Sequence, residues 1–153
     1  MIPGLAGRLI AAALIASPAA AGTLTATLPD GTEIARLSVP DGAGWCVIWN
    51  HSVQLFQVED CYENRNGRMV LVRSHLPDFA AGLDHIPGRG VQLSDGNGGY
   101  WIEDLDEPVS GNAYVLRPGG PAVNHRIRTA SGEVSLSETA PHARVTIALR
   151  KED

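Results

Sequence analysis

The sequence predicts an all-β fold: a single-domain antiparallel sandwich or barrel of about nine to ten short strands. Three observations predict it. Turn signals rich in Gly and Pro recur about every eight to twelve residues. The runs between them alternate apolar and polar residues. No helical periodicity survives beyond residue 21. With Gly 17 and Pro 10 in 153 residues, a long-helix bundle or coiled coil is disfavoured, because both breakers destabilise helix interiors. A composition 44% hydrophobic and 19% charged separates the chain from disordered sequences.

Residues 1–21 have the pattern of a cleaved export signal. Arg8 is a lone positive charge, residues 9–16 are apolar, Ser17-Pro18 breaks the run, and Ala19-Ala20-Ala21 offers small residues to a peptidase. The apolar run is too short to span about 30 Å of hydrocarbon as a helix. The expected organisation is therefore a signal over 1–21, a single β domain over 22–153, and a periplasmic location. From Gly22 onward, 11 basic residues face 17 acidic ones, a net charge of −6. That balance does not suit nucleic acid or anionic lipid. Lys151 is the only Lys, a skew too global to mark anion sites.

The strands follow in order. Residues 23–28 alternate, and Pro29-Asp30-Gly31 turns. Residues 33–39 lead to a second such turn, Pro40-Asp41-Gly42. Trp45-Cys46-Val47-Ile48-Trp49 and residues 57–62 form an expected hairpin. Pairing Cys46 with Cys61 places Trp45 opposite Tyr62 and Ile48 opposite Glu59, with the bend near Val53-Gln54. An even cysteine count in an oxidising compartment favours a Cys46–Cys61 disulfide. Residues 68–74 are apolar on both faces, as in a doubly buried strand. Residues 76–91 read as the longest irregular loop and the first place to seek function. Asp95-Gly96-Asn97-Gly98-Gly99 turns, residues 100–102 and 113–117 are short strands, and 104–111 is a solvated loop. Residues 123–130 alternate, with His125 expected as a core histidine satisfied by one hydrogen bond. Strands at 133–137 and 144–150 complete the count.

The chemistry is sparse. No H-x-H, H-E-x-x-H or zinc-like Cys/His spacing occurs. His75, Asp78, Asp84 and His85 crowd the long loop, but spacing alone assigns neither metal nor cofactor. Ser52 beside His51, with Glu59 nearby, invites a hydrolase reading. Neighbours on one strand point to opposite faces, and the G-x-S-x-G elbow is absent. Asn50, His51 and Ser52 are polar residues at a bend, suited to bonding the local backbone.

The run from Trp45 to Val53 with its His51-Ser52-Val53 ending, then Val58-Glu59, resembles an uncharacterised bacterial family, domain of unknown function 1850. The strand at 68–74 and the segment Phe79-Ala80-Ala81-Gly82-Leu83 fit it also, with Ala80 where the family pattern has Gly. The resemblance carries over His51, Ser52, Glu59, Ala81 and Gly82. It implies a small exported protein associated with tripartite ATP-independent periplasmic (TRAP) transporters of the TAXI type. A small organic anion or the transporter's own components would then be the partner. The expectation is a non-catalytic accessory or binding module, whose recognition face combines the His51–Glu59 hairpin with the loop over residues 77–90, including Asp84 and His85. The alternative is a periplasmic hydrolase or metal-dependent enzyme using His51 and Glu59 with Asp84 or His85. A third reading is an envelope structural protein with no ligand.

Overall fold

A computed structural model describes residues 22–76 and 86–151. Twelve strands and one short helix follow one another: β1 (Gly22–Thr27), β2 (Glu33–Ser38), β3 (Gly44–Asn50), β4 (Gln57–Arg65), β5 (Arg68–Leu76), β6 (Val91–Ser94), β7 (Tyr100–Glu103), β8 (Glu107–Pro108), β9 (Ala113–Leu116), β10 (Arg126–Thr129), β11 (Gly132–Ser135), α1 (Leu136–Thr139) and β12 (Val145–Lys151). They make two antiparallel sheets. The smaller runs β2-β1-β12-β9. The larger runs β11-β10-β3-β4-β5-β7-β6, with β8 also against β5. The all-β sandwich expected from the turn spacing is what forms. No helix among the described residues is long and apolar enough to cross a membrane.

The sheets pack because their facing residues are apolar. Leu24, Ala26, Ile147 and Leu149 from the small sheet meet Trp45, Val47, Met69 and Ile127 from the large one in a single buried cluster. A second cluster, Val58, Leu76, Tyr100, Ile102 and Leu105, fills the other end of the large sheet. Burying such side chains stabilises the fold by about 1.5–3 kcal/mol each. The β3–β4 register matches the expected one: Trp45 opposes Tyr62, Cys46 opposes Cys61 and Ile48 opposes Glu59. Cys46 and Cys61 are joined by a disulfide. A bulge between Cys61 and Tyr62 shifts the pairing with β5.

Four local expectations are corrected. The strand expected over 133–137 stops at Ser135, whose Oγ accepts from the Glu138 N–H at 3.2 Å and caps α1. Ser135-Leu136-Ser137-Glu138 is a capping-box sequence, and Leu136 buries completely. The strand expected over 123–130 begins only at Arg126. Val123 and Asn124 both donate to the Gly120 carbonyl, and Asn124 takes φ 50, a turn conformation that Asn tolerates. Val91–Ser94 and Glu107–Pro108, expected in or beside loops, pair as β6 and β8. They are too short for alternation to reveal them.

Candidate functional site

The β3–β4 bend holds two of the expected site residues, and its geometry is structural. The His51 N–H donates to the Phe56 carbonyl at 2.7 Å, and the His51 carbonyl accepts from Leu55 at 2.9 Å. His51 Nδ1 accepts from the backbone N–H groups of Val53 and Gln54 at 3.4 and 3.3 Å, and its ring lies against Phe56. An Nδ1 that accepts leaves the proton of the neutral ring on Nε2. Asn50 Nδ2 donates to the Ala122 carbonyl at 3.0 Å, tying the bend to the chain before β10. Ser52 is exposed at the tip, beside Val53 at 81% exposure. The trio satisfies backbone groups, as polar residues at a bend do.

Glu59 lies elsewhere, on the face of the large sheet turned away from the small one. Opposed residues share a face. One outer row therefore runs Arg128, Cys46, Cys61, Arg73, and the next Arg126, Ile48, Glu59, His75, Trp101. Glu59 is only 5% exposed. Its Oε1 accepts from Arg128 Nη2 at 2.7 Å and lies 3.3 Å from Cys61 Sγ. His75, opposite Glu59, has Nε2 2.8 Å from Asp95 Oδ2 and its ring against Trp101, with the Arg73 guanidinium over the same indole. Backbone N–H groups of Asn97 and Gly99, together with His75, hold the Asp95 carboxyl below its ordinary range. Cys46, Glu59 and Cys61 present ligand-type atoms within 4.8 Å of one another. Both sulfurs are bound to each other, so the trio lacks the thiolates a soft metal requires. Ala81, Gly82, Asp84 and His85, with Asp78, lie outside the described residues.

The densest chemistry lies between the sheets. A cavity of about 200 Å³ is lined by Val47 and Trp49 of β3, Asp60 and Tyr62 of β4, Tyr114 and Leu116 of β9, and His125 just before β10. Two ring stacks frame it. Trp49 stacks on His125 at 5.8 Å, and Tyr62 stacks on Tyr114 at 5.5 Å and on Trp45 at 5.6 Å. The β4 alternation that buries Val58 on the inner face also turns Asp60 inward. Ser74 Oγ donates to Asp60 Oδ1 at 2.6 Å. Burial raises the Asp60 carboxyl above its ordinary value despite that bond.

The other polar groups of the cavity are neutral. Burial pushes the Tyr62 phenol up to about 12 and Tyr114 well above its usual value. The Tyr114 hydroxyl oxygen is enclosed, and the Tyr62 hydroxyl is the polar group beside it. Burial pulls His125 below the usual histidine range. The Gly119 N–H donates to its Nδ1 at 3.1 Å, which again leaves the ring proton on Nε2. The expected core histidine with one ring hydrogen bond is present, and it also borders a cavity. Sequence reasoning missed this site. The available signal was a lone acid, Asp60, on the apolar face of an alternating strand.

Asp60 gives a sign-definite prediction. Its carboxyl binds a proton more tightly in the folded chain than in the unfolded one. The stability tied to that proton is therefore complete below the unfolded value of 3.8 and lost as pH rises through the folded value. At pH 7 the buried charge destabilises. Asp60→Asn keeps an oxygen for Ser74 and removes that charge. Thermal denaturation should place its Tm above the wild type at pH 7, the gap closing as pH falls toward about 4. A lower Tm at pH 7 would refute the assignment.

Comparison with known proteins locates this cavity within a family. The family model described as Domain of unknown function (DUF1850) matches residues 47–136, more than half of the chain. The chain belongs to the DUF1850 family. No curated protein and no solved structure matches it. The DUF1850 span opens in β3 and closes at the first residue of α1. Every residue lining the inter-sheet cavity falls inside it, as do Glu59 and the bend. β1, β2 and β12 lie outside the DUF1850 span and supply most of the opposing sheet.

Proposed function

We propose that this DUF1850 protein is an exported, non-catalytic binding module that serves a TRAP transporter of the TAXI type. The observation that carries the binding role is the inter-sheet cavity, where polar aromatic groups and one part-buried acid converge in a concave space. Concave apolar sites with a few placed polar groups are the usual form of small-ligand sites. The export pattern of residues 1–21 and the Cys46–Cys61 disulfide support a periplasmic location, since disulfides persist in oxidising compartments. A non-catalytic role fits the described chemistry. His51 Nδ1 is engaged by backbone amides, and Glu59 is neutralised by Arg128. The transporter link rests on the family resemblance. That resemblance implies a small organic anion as solute, yet among the described residues no Lys or Arg lines the cavity to receive one.

The test is recovery from native membranes. The chain, tagged at its C-terminus and expressed in its own host, should be found in the periplasmic or membrane fraction after fractionation. Mild-detergent affinity purification should co-recover integral membrane subunits of a TRAP transporter. Cytoplasmic retention, or purification without any transporter subunit, would overturn the reading.

A further inference from the structure

Among the described residues lining the inter-sheet cavity, Asp60 is the only acid and no Lys or Arg joins it, while burial pulls His125 below the usual histidine range. Resting on the binding-module reading, we propose that this cavity takes a small organic cation, a protonated amine with a compact apolar body, and that Asp60 is its counter-ion.

The argument begins with charge. An ionised carboxylate enclosed by protein is costly unless paired, and an opposite charge brought beside it removes that cost. The groups facing Asp60 leave the position open. Ser74 from β5 supplies one hydrogen bond to Oδ1. Tyr62 on its own strand, Tyr114 from β9 and His125 before β10 are neutral. Beyond them lie Arg89 and Glu107, whose fields at Asp60 act in opposite senses. These two are joined to each other by a two-point contact at 2.6 and 3.0 Å. A cationic ligand would be the first full positive charge in the cavity.

Hydrogen-bonding capacity points the same way. An ammonium group has up to three N–H donors and needs acceptors. The cavity offers the Asp60 carboxylate and the phenolic oxygens of Tyr62 and the enclosed Tyr114. A carboxylate ligand would meet Asp60 with like charge and no base among the described lining residues, Arg89 beyond them being committed to Glu107, which is unfavourable at low dielectric. Val47, Leu116 and the aromatic rings surround the rest of the space with apolar surface. At about 200 Å³ it is smaller than the sites of drug-sized ligands, about 300–1,000 Å³, so the amine must be compact.

The experiment uses the oxidised, signal-free chain and three probes of similar size: benzylamine, cyclohexylamine and benzoate. Isothermal titration at pH 7.5 should show saturable binding of one or both amines and none of benzoate. Asp60→Asn should weaken amine binding at least tenfold while its Tm stays at or above the wild type, separating lost binding from lost folding. Tyr114→Phe should weaken it about three- to tenfold. Amine affinity should fall as pH is lowered through the Asp60 titration, because protonation removes the counter-ion. Benzoate binding without amine binding, or amine binding unchanged in Asp60→Asn, would overturn the cation site and leave the binding-module reading standing. Saturation by none of the three probes would overturn the cation site. Transporter recovery without it would then rest the module reading on docking alone.

Discussion

Replacing Trp45 with alanine will destabilise the protein by about 3–5 kcal/mol, the range for removing a buried large aromatic. Trp45 is 2% exposed and sits in the main core cluster between the sheets. Its ring stacks on Tyr62, which stacks on Tyr114 of the opposing sheet. The three rings thus bridge β3, β4 and β9, and the cavity wall depends on the inner two. Urea denaturation followed by circular dichroism should show the midpoint fall, with the slope unchanged if only stability is affected. Trp45→Phe should cost much less than its lost volume suggests. The Trp45 indole N–H is buried without an acceptor among the described residues, and removing an unsatisfied donor returns part of its desolvation cost. Exposed Val53→Ala should stay within about 0.5 kcal/mol. A loss below about 1 kcal/mol for Trp45→Ala would remove the ring stack from the account of the core.

Removing the disulfide is the second large effect. Changing both Cys46 and Cys61 to alanine should cost about 3 kcal/mol on the chain-entropy model, for a separation of 15 residues. The β3–β4 bend explains the dependence. It has no Asn-Gly or other tight-turn sequence, and Leu55 within it takes φ 60, which is unfavourable for a leucine. The covalent link offsets what the bend does not specify. Reduction of the folded chain should also be slow. Cys61 is buried, and burial both blocks an attacking thiol and raises the cost of releasing a thiolate. Dithiothreitol without denaturant should leave the bond largely intact over minutes, and in urea should reduce it readily. Fast reduction of the native state would show the sulfurs more accessible than their burial implies.

How far sequence reasoning reached depended on the range of each interaction. The β3–β4 register was legible because one pairing, Cys46 with Cys61, fixes all the others on a ladder of period two. Turns at Pro29-Asp30-Gly31 and Pro40-Asp41-Gly42 were legible because their chemistry is local; Gly31 and Gly42 both take positive φ. α1 was hidden because Glu133-Val134-Ser135 looks like the start of a longer strand, and only the Ser135–Glu138 spacing marks the change. The site was the least legible. His51 drew attention as a polar residue in a motif, yet its ring caps a bend. Asp60 became meaningful only when β9 and the start of β10 placed Tyr114 and His125 against it, contacts that no local pattern encodes.

The pairing of β1 with β12 has a kinetic consequence. A Thr27–Thr146 hydrogen bond spans 119 residues, and β12 lies between β1 and β9 in the small sheet. Until residue 151 has been synthesised, β1 and β9 have no strand to join them, and the large sheet has no complete partner surface. Such high contact order makes folding slow, because loop-closure entropy precedes the reward of contact. The small sheet therefore closes last, after the local antiparallel pairings of the large sheet are available.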